Sequence, residues 1–270
     1  MQHMSRTGTS GHYSTGVKIV ILAVLLTTPQ FIAGAKTMKN DVITQEEIQD
    51  LPQPVQRFLK YSGVIGTPRI TQAIIEQTGF FKTAPDKPWT PFTATQVYNI
   101  PEASFEWKVR MKMAPLMIVK GTDALKDGCG SMKIKLFGFI PLVNARGPEF
   151  DQGAMTRYLG ETIWFPQAFL DDHIRWEAID SVSAKAIFTI AEKSVEGIFH
   201  FDVLGPVTSF TCDRYASEGK ELVLTPWRCP VDEYKAFNGI QIAAKARAIW
   251  DRPESEYTYI KLEITRVDYE

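Results

Sequence analysis

The stretch Gly153–Ala178 reads GAMTRYLGETIWFPQAFLDDHIRWEA. On either side of it, short segments alternate apolar and polar residues with period two, and inside it the period changes. Met155, Leu159, Thr162 and Ile163 fall three or four residues apart, flanked by Tyr158 and Phe165, the spacing of a helix laid on an apolar surface. Pro166 ends or kinks that helix, because it lacks an N–H and its ring collides with the preceding turn. A short turn over Gln167–Leu170 follows. The reading predicts helix near 153–170, set between two blocks of antiparallel strands.

Upstream, Phe105–Met113 is the clearest strand. Phe105, Trp107, Val109, Met111 and Met113 alternate with Glu106, Lys108, Arg110 and Lys112, which only a sheet with one dry and one wet face requires. Met132, Ile134 and Leu136 repeat the pattern against Lys133 and Lys135. Further strands are predicted over Ile70–Lys82, Phe92–Tyr98 and Leu116–Leu125. Downstream they are predicted over Ile174–Ile179, Ser183–Ile190, Val195–Phe201, Val207–Tyr215, Leu222–Trp227, Gly239–Trp250 and Tyr257–Tyr269. Ile242, Ala244, Ala246, Ala248 and Trp250 share a face whose small side chains leave room for a helix or a ligand. With about ten or eleven strands and a single crossover helix, a doubly wound parallel fold is excluded. The predicted class is mainly β (α+β): a large curved antiparallel sheet or half-barrel wrapped around the central helix. A short N-terminal helical segment near 45–61 precedes it, with Thr44 and Glu47 as a capping box and Gly63 as its end.

Residues 1–16 are polar, rich in Gly, Ser and Thr, and are expected to be disordered. Val17–Leu26 (VKIVILAVLL) is apolar apart from Lys18, and Ala33-Gly34-Ala35 supplies small residues before Lys36. This reads as a secretory signal, with an uncleaved anchor over Ile19–Ala35 and a buried helix as the alternatives. Residues 1–35 are thus set apart as a leader, with membrane contact expected through 17–35. Residues 36–270 form one antiparallel-sheet domain.

The 270 residues are 44% hydrophobic and 23% charged, the balance of a globular protein. A formal net charge of -1 provides no global field to draw in nucleic acid or anionic lipid, although local basic patches remain open. Cys129, Cys212 and Cys229 form no C-x-x-C pair and the four histidines do not cluster, so neither a metal nor a cofactor is predicted. The cysteines read as buried thiols, with a Cys212–Cys229 bridge as the alternative in an oxidising compartment. Gly128-Cys129-Gly130 lacks the helix and lysine of a phosphate loop. Asp171 and Asp172 before His173 read as a hydrated turn. Three polar groups in apolar settings stand out. Arg157 and Glu161 share a helix face and can pair. Arg228, beside Trp227, either clamps a carboxylate or phosphate or links to Asp232 or Glu161.

Several segments together resemble a known family. They are LPQPVQRFLKYSG (Leu51–Gly63), Met111–Pro115, RYLGETIWFPQAFL (Arg157–Leu170), FHFD (Phe199–Asp202) and TPWRCPVDEYKAFNGIQI (Thr225–Ile242). Over roughly Leu51–Tyr269 the chain resembles a bacterial family of unknown function, DUF6544-like, and its inferred shape is similar to the LolA-like lipoprotein-carrier group. The resemblance brings no established activity with it, and in similar sequences a glycine often stands where Cys229 stands here. Three functions follow. The first is an exported or membrane-anchored envelope protein binding a lipid or other apolar small molecule in a cavity between sheet and helix. Trp107, Trp164, Phe165, Phe199 and Trp227 would line it, with Arg157 and Arg228 near its mouth. The second is an enzyme acting on a hydrophobic small molecule through Arg157, Glu161, His200 or Asp232. The third is a scaffold whose sheet edge pairs with a partner.

Overall fold

The alternation at Phe105–Met113 becomes a strand whose dry face opens outward along its length: Phe105 and Val109 are buried, Trp107 and Met111 half-buried and Met113 exposed. The computed structural model describes residues 41–114, 117–219, 221–252 and 255–270, so the expectations for residues 1–35 lie outside the described residues. Among these, the strands are β1 (Gln72–Phe81), β2 (Thr90–Asn99), β3 (Ser104–Ala114), β4 (Met117–Lys126), β5 (Cys129–Leu136), β6 (Ile140–Arg146), β7 (Ile174–Ala178), β8 (Ser183–Ile190), β9 (Lys193–Phe201), β10 (Val207–Glu218), β11 (Glu221–Phe237), β12 (Ile240–Arg252) and β13 (Ser255–Tyr269). Two helices, α1 (Gln53–Ser62) and α2 (Pro148–Glu161), are joined by short 3-10 turns at Glu46–Ile48, Thr162–Trp164 and Pro166–Leu170.

All thirteen strands belong to one antiparallel sheet in the order β6-β5-β4-β3-β2-β1-β13-β12-β11-β10-β9-β8-β7. It is two meanders joined where the first strand meets the last, with Ala73 opposite Tyr269. The predicted half-barrel is overturned: the sheet is open, ends on β6 and β7 with one neighbour each, and is neither curled nor closed into a barrel. The expectation took twist alone to force a long sheet to curl. Here the chain between the two edge strands forms α2 and the 3-10 turns, and no ladder joins β6 to β7. α2 lies instead against β4 and β5 of one meander and β9 and β10 of the other.

α2 begins five residues before its predicted start near Gly153. Pro148 at its first turn follows Gly147 at φ +131, and Glu149 and Asp151 favour the helix N-terminus. β6 was not predicted because its residues are mostly exposed and only Val143–Arg146 alternate, a run of four. β11 runs ten residues past its predicted end at Trp227, through Pro230, and shifts register against β12 only beyond Val231. All three cysteines are free thiols, and Cys129 is exposed rather than buried.

The core is solid between α2 and β8–β10. The Tyr158 ring stacks on Phe188 at 5.1 Å, and Phe210 is held between Gly160 of α2 and Gly197 of β9. A Cβ at Gly197 would fall 2.2 Å from the Phe210 ring, so glycine sets how closely α2 and β9 approach. Toward β2–β5 and the far ends of β10–β13, the same inner face is not filled.

Candidate functional site

The unfilled region is a cavity of about 1240 Å³ between α2 and the sheet. Its walls are mainly apolar: Phe92, Trp107, Val109 and Met111 on one side, Trp227, Trp250, Tyr259 and Leu262 on the other, with Ile163 and Trp164 following α2. Ala246 and Ala248 lie on the wall beside Trp250, so the small residues of β12 leave space there.

One polar cluster interrupts this lining. The registers of β2–β3 and β3–β4 place Gln96, Trp107 and Asp123 directly opposite one another in a single row. Arg157 reaches that row from α2. Its Nη1 donates to Asp123 Oδ2 at 2.7 Å, its Nε to Glu161 Oε1 at 2.8 Å and its Nη2 to Gln96 Oε1 at 3.1 Å. Glu161 Oε2 accepts from Gln96 Nε2 and from the Tyr98 hydroxyl, both at 2.8 Å. Gln77 donates to Gln96 at 3.2 Å and accepts from Trp107 Nε1 at 3.0 Å. The guanidinium also stands 4.7 Å from the Trp107 ring centre. Burial alone would push protons off Arg157, but the charges of Glu161 and Asp123 outweigh it and hold its pKa above the ordinary arginine value. Burial and the Glu161 charge push the Tyr98 hydroxyl well up, so it is a fixed donor.

A second guanidinium, Arg214 of β10, lies on the same wall. Its Nε donates to the Gly153 carbonyl at 3.0 Å and its Nη1 to the Tyr259 hydroxyl at 3.4 Å, and it stacks over Trp227 at 4.8 Å. No carboxylate among the described residues pairs with it. Burial drives the adjacent Cys229 thiol up and keeps it protonated.

The structure brings Trp107, Arg157, Glu161, Trp164 and Trp227 to this cavity. Phe165 and Phe199 lie in the solid core, at 4.4 Å from the Tyr98 ring and 4.7 Å from the Phe210 ring. Arg228 is turned away from Glu161 and Asp232; it forks onto Asp251 at 2.9 and 3.0 Å and reaches Glu256 at 3.1 Å. Asp232 is held outside by Arg247 at 2.8 Å, and His200 bonds Thr211 at 3.0 Å between β9 and β10. Sequence reading passed over Gln77, Gln96, Tyr98, Asp123 and Arg214. The available signal was a polar residue at an inward position of an alternating strand, as at Arg214 between Cys212 and Ala216.

A family model described as a family of unknown function (DUF6544) matches residues 41–262. The chain belongs to that family. No curated protein matches the DUF6544 chain in sequence. Its structure is similar to that of a domain from Vibrio parahaemolyticus assigned to outer membrane lipoprotein sorting, at TM-score 0.45 and 10% identity, covering 74% of this chain and 85% of that one. It is also similar to a DUF1329 family protein from Desulfovibrio piger, at TM-score 0.45 and 11% identity, covering 82% and 94%. A LolA superfamily protein from Nitrosomonas europaea is similar at TM-score 0.42 and 11% identity, covering 80% and 93%.

Proposed function

We propose that this chain is an envelope-associated protein that holds a lipid-like molecule in the cavity between the sheet and α2. The observation that carries the reading is the cavity: about 1240 Å³ of mainly apolar wall is at the upper end of what small-molecule sites use, and its shape is preset by strands on both sides. Trp107, Trp164 and Trp227 provide rigid apolar surface for a chain, and Arg214 provides a cation with no carboxylate partner for an anionic or polar end. The signal-like pattern at residues 17–35 supports an envelope location.

The test is uptake of the neutral probe N-phenyl-1-naphthylamine, together with native mass spectrometry of full-length protein from its own host. A co-purifying lipid and saturable probe uptake are expected, with uptake lost in Ala248→Trp, which fills the wall. Ligand-free protein that takes up no probe would overturn the reading.

An enzyme acting on the same class of molecule is the second reading, because Arg157 and Glu161 meet in the cavity. Both oxygens of Glu161 are taken by Arg157, Gln96 and Tyr98, which favours a structural network over an acid or base. Turnover of a lipid ester that is abolished in Glu161→Gln would reverse that preference.

A further inference from the structure

The outer face of β3–β5, on the other side of the sheet from the cavity, is cationic. Arg110 lies directly opposite Lys120, and Lys120 directly opposite Lys135; in the next row Thr122 separates Lys108 from Lys133. Like charges set opposite each other across strands weaken a sheet, so this row carries a cost to stability. Lys108 pairs with Glu106, whereas Arg110, Lys112, Lys120, Lys133 and Lys135 have no carboxylate within ion-pair distance among the described residues. The whole chain carries a formal charge of only -1, so the concentration is local. A groove of about 620 Å³ on this face runs between Lys108, Arg110 and Lys120 and the hydroxyls of Thr93, Thr95 and Thr122, donors suited to a phosphate; its one carboxylate, Glu76, is paired with Arg266 at 3.6 Å.

The rows end at the β5–β6 hairpin. Phe137 occupies its turn at φ +54, ahead of Gly138 at φ +84. That left-handed position favours Asn, Asp or Gly and is strained for a bulky side chain. The rings stay largely in solvent: Phe137 is 46% exposed and Phe139 72%, and the two stack on each other at 6.2 Å. Ile140 and Leu142 continue the exposed apolar tip, and the Lys120 side chain lies against Gly138.

We propose that the outer face of β3–β5 and the Phe137–Leu142 tip form a docking surface for an anionic lipid bilayer. Aromatic rings beside lysines are the signature of the headgroup region, and unpaired cations in rows are complementary to anionic headgroups. Nucleic acid would need the rings interleaved with the cations as stacking platforms, whereas here they are gathered at one turn. Met113 of β3 and Leu142 of β6 also line the cavity, so the apolar tip stands beside its rim while the cationic rows lie across the sheet from it. The surface itself needs nothing bound in the cavity.

The full-length chain is tested by flotation with vesicles of equimolar phosphatidylglycerol and phosphatidylcholine, against phosphatidylcholine alone. Insertion of residues 17–35 would serve both vesicles, and Arg6, Lys18, Lys36 and Lys39 would add the same anionic preference in every variant, so the readout is the part of the extra anionic binding that the substitutions below remove. That increment is expected to shrink between about 0.1 M and about 1 M salt. At roughly five-fold per cation, Arg110→Glu, Lys120→Glu and Lys135→Glu together are expected to lower it on the order of 100-fold. Phe137→Ser with Phe139→Ser, both exposed and leaving the fold intact by circular dichroism, is expected to lower it as well. Equal binding to both vesicles overturns the proposal. So does an increment that survives both sets of substitutions, or tight binding of duplex DNA lost only with the charge reversals. Probe uptake by the cavity is measured on the same variants and is expected to be unchanged, so the two readings fail separately.

Discussion

Arg157 is one guanidinium shared by two carboxylates, with about 14% of its side chain exposed. Arg157→Met leaves Asp123 and Glu161 buried without a counter-charge, so a loss of about 3–5 kcal/mol is expected by urea denaturation. A loss below about 1 kcal/mol would show that water already screens the pair. His200 reports on pH. Burial lowers its pKa below the ordinary 6.5, so the unfolded chain binds the proton more readily than the folded one. Its contribution is complete above about pH 7.5 and is lost as pH falls through the folded pKa. Unfolding free energies of the parent and of His200→Gln are expected to differ by a constant above that pH, with the parent losing ground as pH falls through the lowered folded pKa; parallel curves would contradict this. At this scale the i, i+4 spacing made the Arg157–Glu161 pair legible. Asp123 was not, because it is 34 residues away and meets Arg157 only through strand register.

Among the elements, the contact of α2 with β9 rests on Phe210 seated between two glycines. Gly197→Ala drives a methyl group into that ring, and the surrounding core leaves it nowhere to go. A loss of about 1–3 kcal/mol is expected in urea unfolding, with Phe210→Leu in the same chain recovering part of it. An unchanged midpoint would mean that α2 can move away from the sheet. Strands with one wet face, such as β3, announced themselves by alternation. β6 did not, because exposed Ile140 and Leu142 give no period. β11 was cut short because a proline normally ends a strand, and here Pro230 sits opposite Ser209 with the β12 register unchanged on either side of it.

For the whole molecule, a cavity that takes up a ligand must link binding to folding. If N-phenyl-1-naphthylamine enters the folded protein alone, about 100-fold excess over its Kd adds about 2.7 kcal/mol and raises Tm in a concentration-dependent way. Ala248→Trp is expected to abolish that shift; a shift of equal size in the variant would place the probe elsewhere. Period-two and period-3.6 patterns are local, so the residues alone determined an antiparallel protein with a helix between two strand blocks, a short helical piece ending at Gly63, and the helix face that carries Arg157 and Glu161. Only tertiary structure decided that the sheet stays open, that β1 and β13 meet, that Phe165 and Phe199 fill the core while Trp107 and Trp227 border empty space, and that five unpaired cations gather on one outer face. The reason is that a cavity and a charge row are sums over strands far apart in the chain, and no window of sequence contains their register.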